Sequence, residues 1–223
     1  MTSHTGNKNK LIIIDDHPIV AYGISQLLED EGEIEICGSA TDANSALTLI
    51  DKHDPDMAVI DISLKGSVNG IDLTKALKNR YPHLKILILS MHESEFYAER
   101  ALRAGARGYL MKSEMTSNLI EAIKKILSGE LYLNPKTSVS IVETVIYNTG
   151  RSKDDPIKRL SDREFEVFQL LGKGLNSKDI GQRLSVSPKT IETYKYRLKN
   201  KLKCKTASEL SEYAHSFNSD KNR

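Results

Sequence analysis

The chain has 223 residues, a length that favours two modest domains over one large one. With 39% hydrophobic and 28% charged residues it is too apolar for a disordered polymer, and no apolar run approaches the roughly 18 residues of a membrane span. The polar first ten residues predict no secretory signal, and the distant Cys37 and Cys204 read as free thiols of a cytoplasmic protein, not as a disulfide or zinc scaffold. The net charge of +2 conceals an asymmetry. Residues 156–223 carry 15 Lys/Arg against 8 Asp/Glu, whereas residues 1–155 carry 17 against 22. A basic C-terminal region fits a polyanion, and the acidic remainder has another task.

In chain order, Leu11–Ile14 is a short apolar run ending in Asp15-Asp16, the pattern of a buried parallel strand. Further strands are expected at Ile34–Cys37, Met57–Ile60, Ile86–Leu89 and Gly108–Met111. Amphipathic stretches of helical length lie between and after them, at about 18–30, 43–52, 70–80, 93–104 and 115–128. Asp42 has the chemistry of an N-cap, and Gly105 and Gly129 stand where helix C-caps want a left-handed residue. Five strands alternating with five helices predict a doubly wound α/β domain whose site lies beyond the carboxyl ends of its strands. No Gly-rich phosphate fingerprint follows the first strand, which disfavours a nucleotide-binding version.

That topology brings Asp15, Asp16 and Asp61 together at one sheet edge. Three converging carboxylates repel one another unless a cation joins them, and a hard, oxygen-ligated ion such as Mg2+ suits them. Ser90 and Lys112 end the fourth and fifth strands at the same edge. Carboxylates, a hydroxyl, an ammonium and a divalent cation form a set able to bind a phosphoryl group and stabilise its transfer. One acid at a strand end is an ordinary loop residue; five suitable residues at the ends of four strands are not.

Residues 1–9 are expected to be a disordered N-terminus, 10–130 the α/β domain, 131–157 a linker with a short helix near 138–148, and 158–219 an all-α domain. The stretch Asn148–Asp155 has no apolar residue before Pro156, which is linker chemistry. Ser161 and Glu164 form a capping box opening a helix over Asp162–Leu171. Ser177–Leu184 is a second helix, Ser187 caps a third reaching Leu202, and Thr206 opens a fourth to about Phe217. The short Ser185–Ser187 turn suits a helix-turn-helix.

In the third helix, spanning 187–202 with its cap, Ile191, Tyr194, Leu198 and Leu202 make a narrow apolar stripe. The opposite face carries Lys189, Thr193, Tyr196 and Asn200, flanked by Glu192 and Arg197; with Thr190 and Lys199 these are the side chains expected to meet base edges and phosphates in a major groove. Thr193 and Tyr196 read as base contacts, and Lys189, Lys195, Lys199 and Lys201 as phosphate contacts. Glu192 either accepts from a cytosine amine or pairs with Lys189, Lys195 or Tyr196. His17 offers a metal ligand directly after Asp16, but its stronger reading is a His-Pro helix start; His92 reads as shaping the loop near Ser90, and His53, His83 and His215 lack zinc-site spacing.

The motifs Ile-Asp-Asp at 14–16, Val-Ile-Asp at 59–61, Leu-Ser at 89–90 and Gly-Tyr-Leu-Met-Lys at 108–112 resemble the receiver domain of two-component response regulators over roughly 9–130. The resemblance implies that Asp61 accepts a phosphoryl group from a sensor histidine kinase. It further implies that Asp15, Asp16, Asp61 and the Ser63 carbonyl hold Mg2+, that Ser90 and Lys112 contact phosphoryl oxygens, and that Tyr109 is a switch aromatic. The chain departs from the family where a Met-Pro pair is usual, reading Leu64-Lys65-Gly66, and where Ser113 replaces a common proline. The interval from Asp61 to Gly70 is also one residue longer than usual.

Residues 160–217 resemble the LuxR-type helix-turn-helix of NarL-type regulators. The matches are Leu-Ser-Asp-Arg-Glu-Phe-Glu-Val-Phe at 160–168, Lys-Asp-Ile-Gly at 178–181, Val-Ser-Pro-Lys-Thr-Ile-Glu-Thr-Tyr at 186–194, Lys-Leu at 201–202 and Ala-Ser-Glu-Leu at 207–210. Together the two resemblances imply a phosphorylation-switched transcription factor that is not an enzyme and binds double-stranded promoter DNA as a homodimer. A partner copy would pack on the helices near 93–104 and 115–128. An Asp-nucleophile phosphatase of the same shape would need a general acid where Ser63 stands. A constitutive DNA-binding protein with the receiver as a dimerisation module is the alternative, against which the intact acidic set argues.

Overall fold

The computed structural model describes residues 8–66, 68–91, 95–147 and 156–220. The chain divides into two compact units between Ile146 and Tyr147. In the first, strands β1 (Asn9–Ile14), β2 (Ile34–Ala40), β3 (Met57–Asp61), β4 (Lys85–Ser90) and β5 (Gly108–Met111) form one parallel sheet in the order β2-β1-β3-β4-β5. Helices α1 (Pro18–Leu27), α2 (Ala43–His53), α3 (Gly70–Arg80), α4 (Glu95–Arg103) and α5 (Met115–Leu127) alternate with them. Leu11–Ile14 and Met57–Asp61 are buried at every position, as strands covered on both faces must be.

Local chemistry explains the element ends. Pro18 opens α1 where its missing N–H costs no hydrogen bond. The Asp42 carboxylate accepts from the Asn44 and Ser45 N–H groups at 2.9 and 3.1 Å. Asn69 caps α3 in the same way, accepting from Ile71 and Asp72. Register then builds the site: Ile14 lies opposite Ile60, and Asp61 opposite Leu89. Asp15 therefore follows β1 at the level of Asp61, with Ser90 ending β4 beside them.

Two expectations about the borders need correction. Asn9 belongs to β1, its N–H donating to the Glu33 carbonyl at 2.9 Å, so the ordered chain includes the last residue of the segment assigned to a disordered start; residues 1–7 lie outside the described residues. The stretch 131–157 carries the helix expected near 138–148, but the helix begins earlier and the residues before it pack on the sheet. Tyr132 is buried and bridges to Gly108, and helix α6 runs over Pro135–Tyr147. Its Asn134 carboxamide accepts from Thr137 N–H at 2.8 Å, an N-cap followed by proline. The expected linker residues 148–155 and the loop residue His92 lie outside the described residues.

The second unit contains α7 (Asp162–Gly172), α8 (Ser177–Arg183), α9 (Pro188–Leu202) and α10 (Ala207–Asp220). The Ser161–Glu164 capping box is present, with both reciprocal hydrogen bonds. Phe165, Phe168, Ile180, Ile191, Leu198 and Leu210 are buried, and Phe168 packs edge-on against Tyr213 and Phe217. The turn between α8 and α9 is tight. Ser185 takes a left-handed φ of 53°, and a Cβ on Gly181 would lie 2.8 Å from the Val186 carbonyl oxygen.

Candidate functional site

The strand ends bring Asp15, Asp16 and Asp61 together, all buried, with ligand atoms of these three and His17 within 4.8 Å of one another. Lys112 follows β5 and reaches back between two of them, its Nζ 2.7 Å from Asp15 Oδ2 and 3.1 Å from Asp61 Oδ2. Desolvation dominates the electrostatics of the central acid. Burial raises the Asp61 pKa from 3.8 to about 6; Lys112 opposes that rise, Asp15 adds to it, and the Ser63 N–H opposes it by hydrogen bonding. The same pair holds the Lys112 ammonium above its ordinary value although burial works against it. Ser90 is fully buried and hydrogen-bonds the buried Tyr109 hydroxyl, whose pKa is raised chiefly by burial.

Two further residues join this cluster. His17, whose stronger sequence reading is a helix start and not a metal ligand, is the N-cap of α1 and places Nδ1 3.2 Å from Asp15 Oδ1 and 3.0 Å from Asp16 Oδ1. Lys65, noted only as a departure from the family, places Nζ 3.4 Å from Asp16 Oδ2. Neither contact has a signal in periodicity, because both side chains reach in from loops. Asp16 Oδ1 is buried and accepts no hydrogen bond; the nearby His17 nitrogen lies off hydrogen-bonding geometry. An orphaned carboxylate oxygen among two further buried carboxylates is a donor set that fits a hard divalent cation.

Behind Asp61 the main chain is packed to contact. Gly70 N–H donates to the Ile62 carbonyl at 2.8 Å. A Cβ on Gly70 would lie 2.1 Å from the Asp61 carbonyl oxygen, so only glycine fits where α3 begins.

In the second unit, Ile191, Leu198 and Leu202 are buried along α9, while Tyr194 is only half-buried and lies beneath the Arg197 guanidinium, 5.9 Å from its ring centroid. Lys189, Glu192, Thr193, Tyr196, Arg197 and Asn200 are exposed; Thr190 and Lys199 are half-buried. Tyr196 stands out at 64% exposure. Several side chains on this face have partners within the protein. Thr193 Oγ1 donates to the Lys189 carbonyl at 3.1 Å, and Thr190 Oγ1 lies 2.8 Å from Ser187 Oγ. Glu192, read as either a base contact or a pairing residue, accepts from Lys195 Nζ at 3.0 Å and from the Ser177 hydroxyl of α8. Lys201, expected at a phosphate, meets Glu164 at 2.6 Å and the Arg159 carbonyl within the protein. No cluster of metal-ligating side chains among the described residues involves His53, His83 or His215.

Comparison with known proteins settles what kind of chain carries these two features. Residues 11–124 match the response regulator receiver domain, and residues 158–214 match the bacterial regulatory proteins of the luxR family. The chain is a LuxR-family response regulator. Such proteins are DNA-binding transcriptional regulators of two-component systems. The oxygen regulatory protein NreC of Staphylococcus carnosus is 36% identical over 208 residues, covering 92% of this regulator and 96% of NreC. RcsB of Salmonella enterica serovar Typhimurium, solved bound to promoter rprA with the phosphomimetic beryllofluoride, is 27% identical with a TM-score of 0.62, covering 94% of this chain and 99% of RcsB. A LuxR-family regulator from Aurantimonas sp. SI85-9A1 is 33% identical with a TM-score of 0.58, over 63% of this chain and 99% of its own. The doubly wound receiver followed by a four-helix DNA-binding unit is thus the architecture of the family. No helix among the described residues is long and apolar enough to cross a membrane.

Proposed function

We propose that this regulator is switched by phosphorylation of Asp61 and reads promoter DNA through α9. The single observation that carries the reading is the convergence of Asp15, Asp16, Asp61 and Lys112 in one buried pocket. A sensor histidine kinase in the cytoplasm supplies the phosphoryl group. The P–N bond of its phosphohistidine breaks, a P–O bond to Asp61 forms, and the leaving imidazole nitrogen keeps the electron pair and takes up a proton. Asp15, Asp16, Asp61 and the Ser63 carbonyl would hold Mg2+, which when bound neutralises charge developing on the transferring phosphoryl oxygens. Lys112 binds one of those oxygens as its pairing with Asp61 is exchanged, and Ser90 donates to another.

Tyr109 and Ser90 share a hydrogen bond, so a shift of Ser90 toward the phosphoryl group moves the aromatic ring with it. Their strands adjoin α4 and α5, and that face is where a second copy packs. RcsB dimers have been solved bound to DNA, and we assign the same assembly here. On the DNA, Thr193 and Tyr196 meet base edges. Lys189, Arg197, Lys199 and Asn200 meet phosphates or flanking bases, with Thr190 and Glu192 at the edge of the contact. The domain borders we assign are a receiver over 9–132, widened from 10–130 by Asn9 of β1 and by the Tyr132–Gly108 bridge, and a DNA-binding domain over 158–219.

Incubation with acetyl phosphate and Mg2+, followed by intact mass measurement, tests the acceptor. The wild type should gain one phosphoryl group and Asp61→Asn none. Equal uptake by the variant overturns the assignment.

A further inference from the structure

The cation budget of the pocket is uneven. Lys112 lies between Asp15 and Asp61, its side chain only 9% exposed, and its ion pairs are with those two acids. Asp16 carries a carboxyl just 4% exposed, and the ammonium facing its Oδ2 comes from Lys65, at 3.4 Å and with its side chain 59% exposed. A buried carboxylate needs a cation. An ammonium that remains largely in water holds it weakly and in a salt-sensitive way. The other Asp16 oxygen is buried and accepts no hydrogen bond.

We infer that Lys65 is the exchangeable counter-ion of the metal site: its ammonium neutralises Asp16 in the metal-free receiver and is displaced when a divalent cation enters. The inference rests on the reading above that Asp15, Asp16 and Asp61 hold Mg2+. With Lys112 and Lys65 in place, three carboxylates face two ammonium groups. Removing Lys65 leaves one more uncompensated negative charge for the incoming ion and nothing to be displaced. Lys112 is not the group that leaves, because it is buried and shared by two acids. His17 touches the opposite oxygen of Asp16 and does not substitute for Lys65 there. Lys65 occupies the β3–α3 loop, which continues into Asn69 and into Gly70, packed on the Asp61 main chain.

Isothermal titration of Mg2+ into the full chain tests this at low and high ionic strength. The wild type is compared with Lys65→Met, Lys65→Arg and Lys52→Met; the last removes the same charge from the exposed last turn of α2. Lys65→Met should bind Mg2+ about two- to tenfold more tightly at low salt, with the gap narrowing at high salt, because weak exposed pairs have that size and are screened. Lys65→Arg and Lys52→Met should titrate like the wild type. Unchanged or weaker binding by Lys65→Met overturns the inference, as does equal tightening by Lys52→Met, which would be an effect of net charge alone. If Lys65→Met matches a wild type that binds Mg2+, the metal-site reading survives without the counter-ion role. If neither binds, both readings fall.

Discussion

Replacing Gly70 by alanine attacks the site from behind without touching any proposed ligand. The added Cβ would stand 2.1 Å from the Asp61 carbonyl oxygen, 2.8 Å from its carbon and 2.9 Å from Ile62 Cα, all main-chain atoms of a buried strand end. No flexible side chain can yield. Overpacking of a core costs about 1–3 kcal/mol, and rigid partners place this case at or above the top of that range. Helix propensity works in the other direction, by up to about 1 kcal/mol for Gly→Ala in a helix interior, and by less here because Gly70 is the first helical residue. The net expectation is a loss of about 2–3 kcal/mol from the receiver, a fall in its melting temperature of roughly 5–15 °C for a domain of this size. Thermal and urea unfolding of the full chain would measure it, and phosphorylation of the folded fraction should slow because relief of the clash moves Asp61. A variant that melts with the wild type, or above it, would refute the close approach.

Four further outcomes follow from the same geometry. Asp16→Ala should lose Mg2+ affinity by at least about tenfold in titration while remaining folded, because it removes a hard anionic ligand. In metal-free buffer the raised Asp61 pKa means that its folded-state advantage is whole below pH 3.8 and lost as the pH rises through about 6. Asp61→Asn should therefore be more stable than the wild type at pH 8 by up to about 3 kcal/mol, with the gap closing under acid. Glu164 has the opposite sign. Burial alone would raise its pKa, but hydrogen bonds and charge from Lys201 and Ser161 outweigh that and lower it. Its stabilisation is whole above the ordinary value of 4.5 and lost as the pH falls through the depressed folded value, so Glu164→Gln should lower the melting point of the DNA-binding unit at pH 7 by the equivalent of about 1–3 kcal/mol and flatten its acid limb. On α9, Tyr196→Ala should relax sequence preference at about 1–3 kcal/mol, whereas Lys189→Ala should weaken binding to all sequences and reduce the salt slope by about one. Tyr194→Ala should mainly lower the melting temperature, and retention of stability with loss of specificity would mean the helix faces are misassigned.

The acidic pocket was legible in the sequence because parallel strands end at a common edge. Once Leu11–Ile14, Met57–Ile60 and the later runs are read as strands, Asp15, Asp16, Asp61, Ser90 and Lys112 have little freedom in where they go. The helix ends were legible for the same local reason, since Asp42, Ser161 and Ser187 each have a hydroxyl or carboxylate placed to accept from the first turn. Contacts made by long side chains were not. Lys65 and His17 reach Asp16 and Asp15 from loops, and Lys201, expected at a phosphate, meets Glu164, thirty-seven residues away. The start of α6 did carry a signal in Asn134-Pro135, an N-cap followed by proline. It was hidden by the weak apolar periodicity behind it, where Val139 and Val142 remain exposed. Tyr194 lies at the edge of the narrow stripe on α9, half-buried beneath the Arg197 guanidinium, a position that the spacing alone does not distinguish from the core.

The central claim is that chemistry at Asp61 governs DNA binding by α9. Its most direct test is the affinity of the full chain for a selected promoter fragment with and without beryllofluoride and Mg2+, in wild type and Asp61→Asn side by side, with the oligomeric state followed by size exclusion. The account expects beryllofluoride to tighten binding and promote dimers in the wild type and to leave Asp61→Asn unchanged. Equal affinity of the wild type in both conditions, or an equal response from the variant, would contradict it.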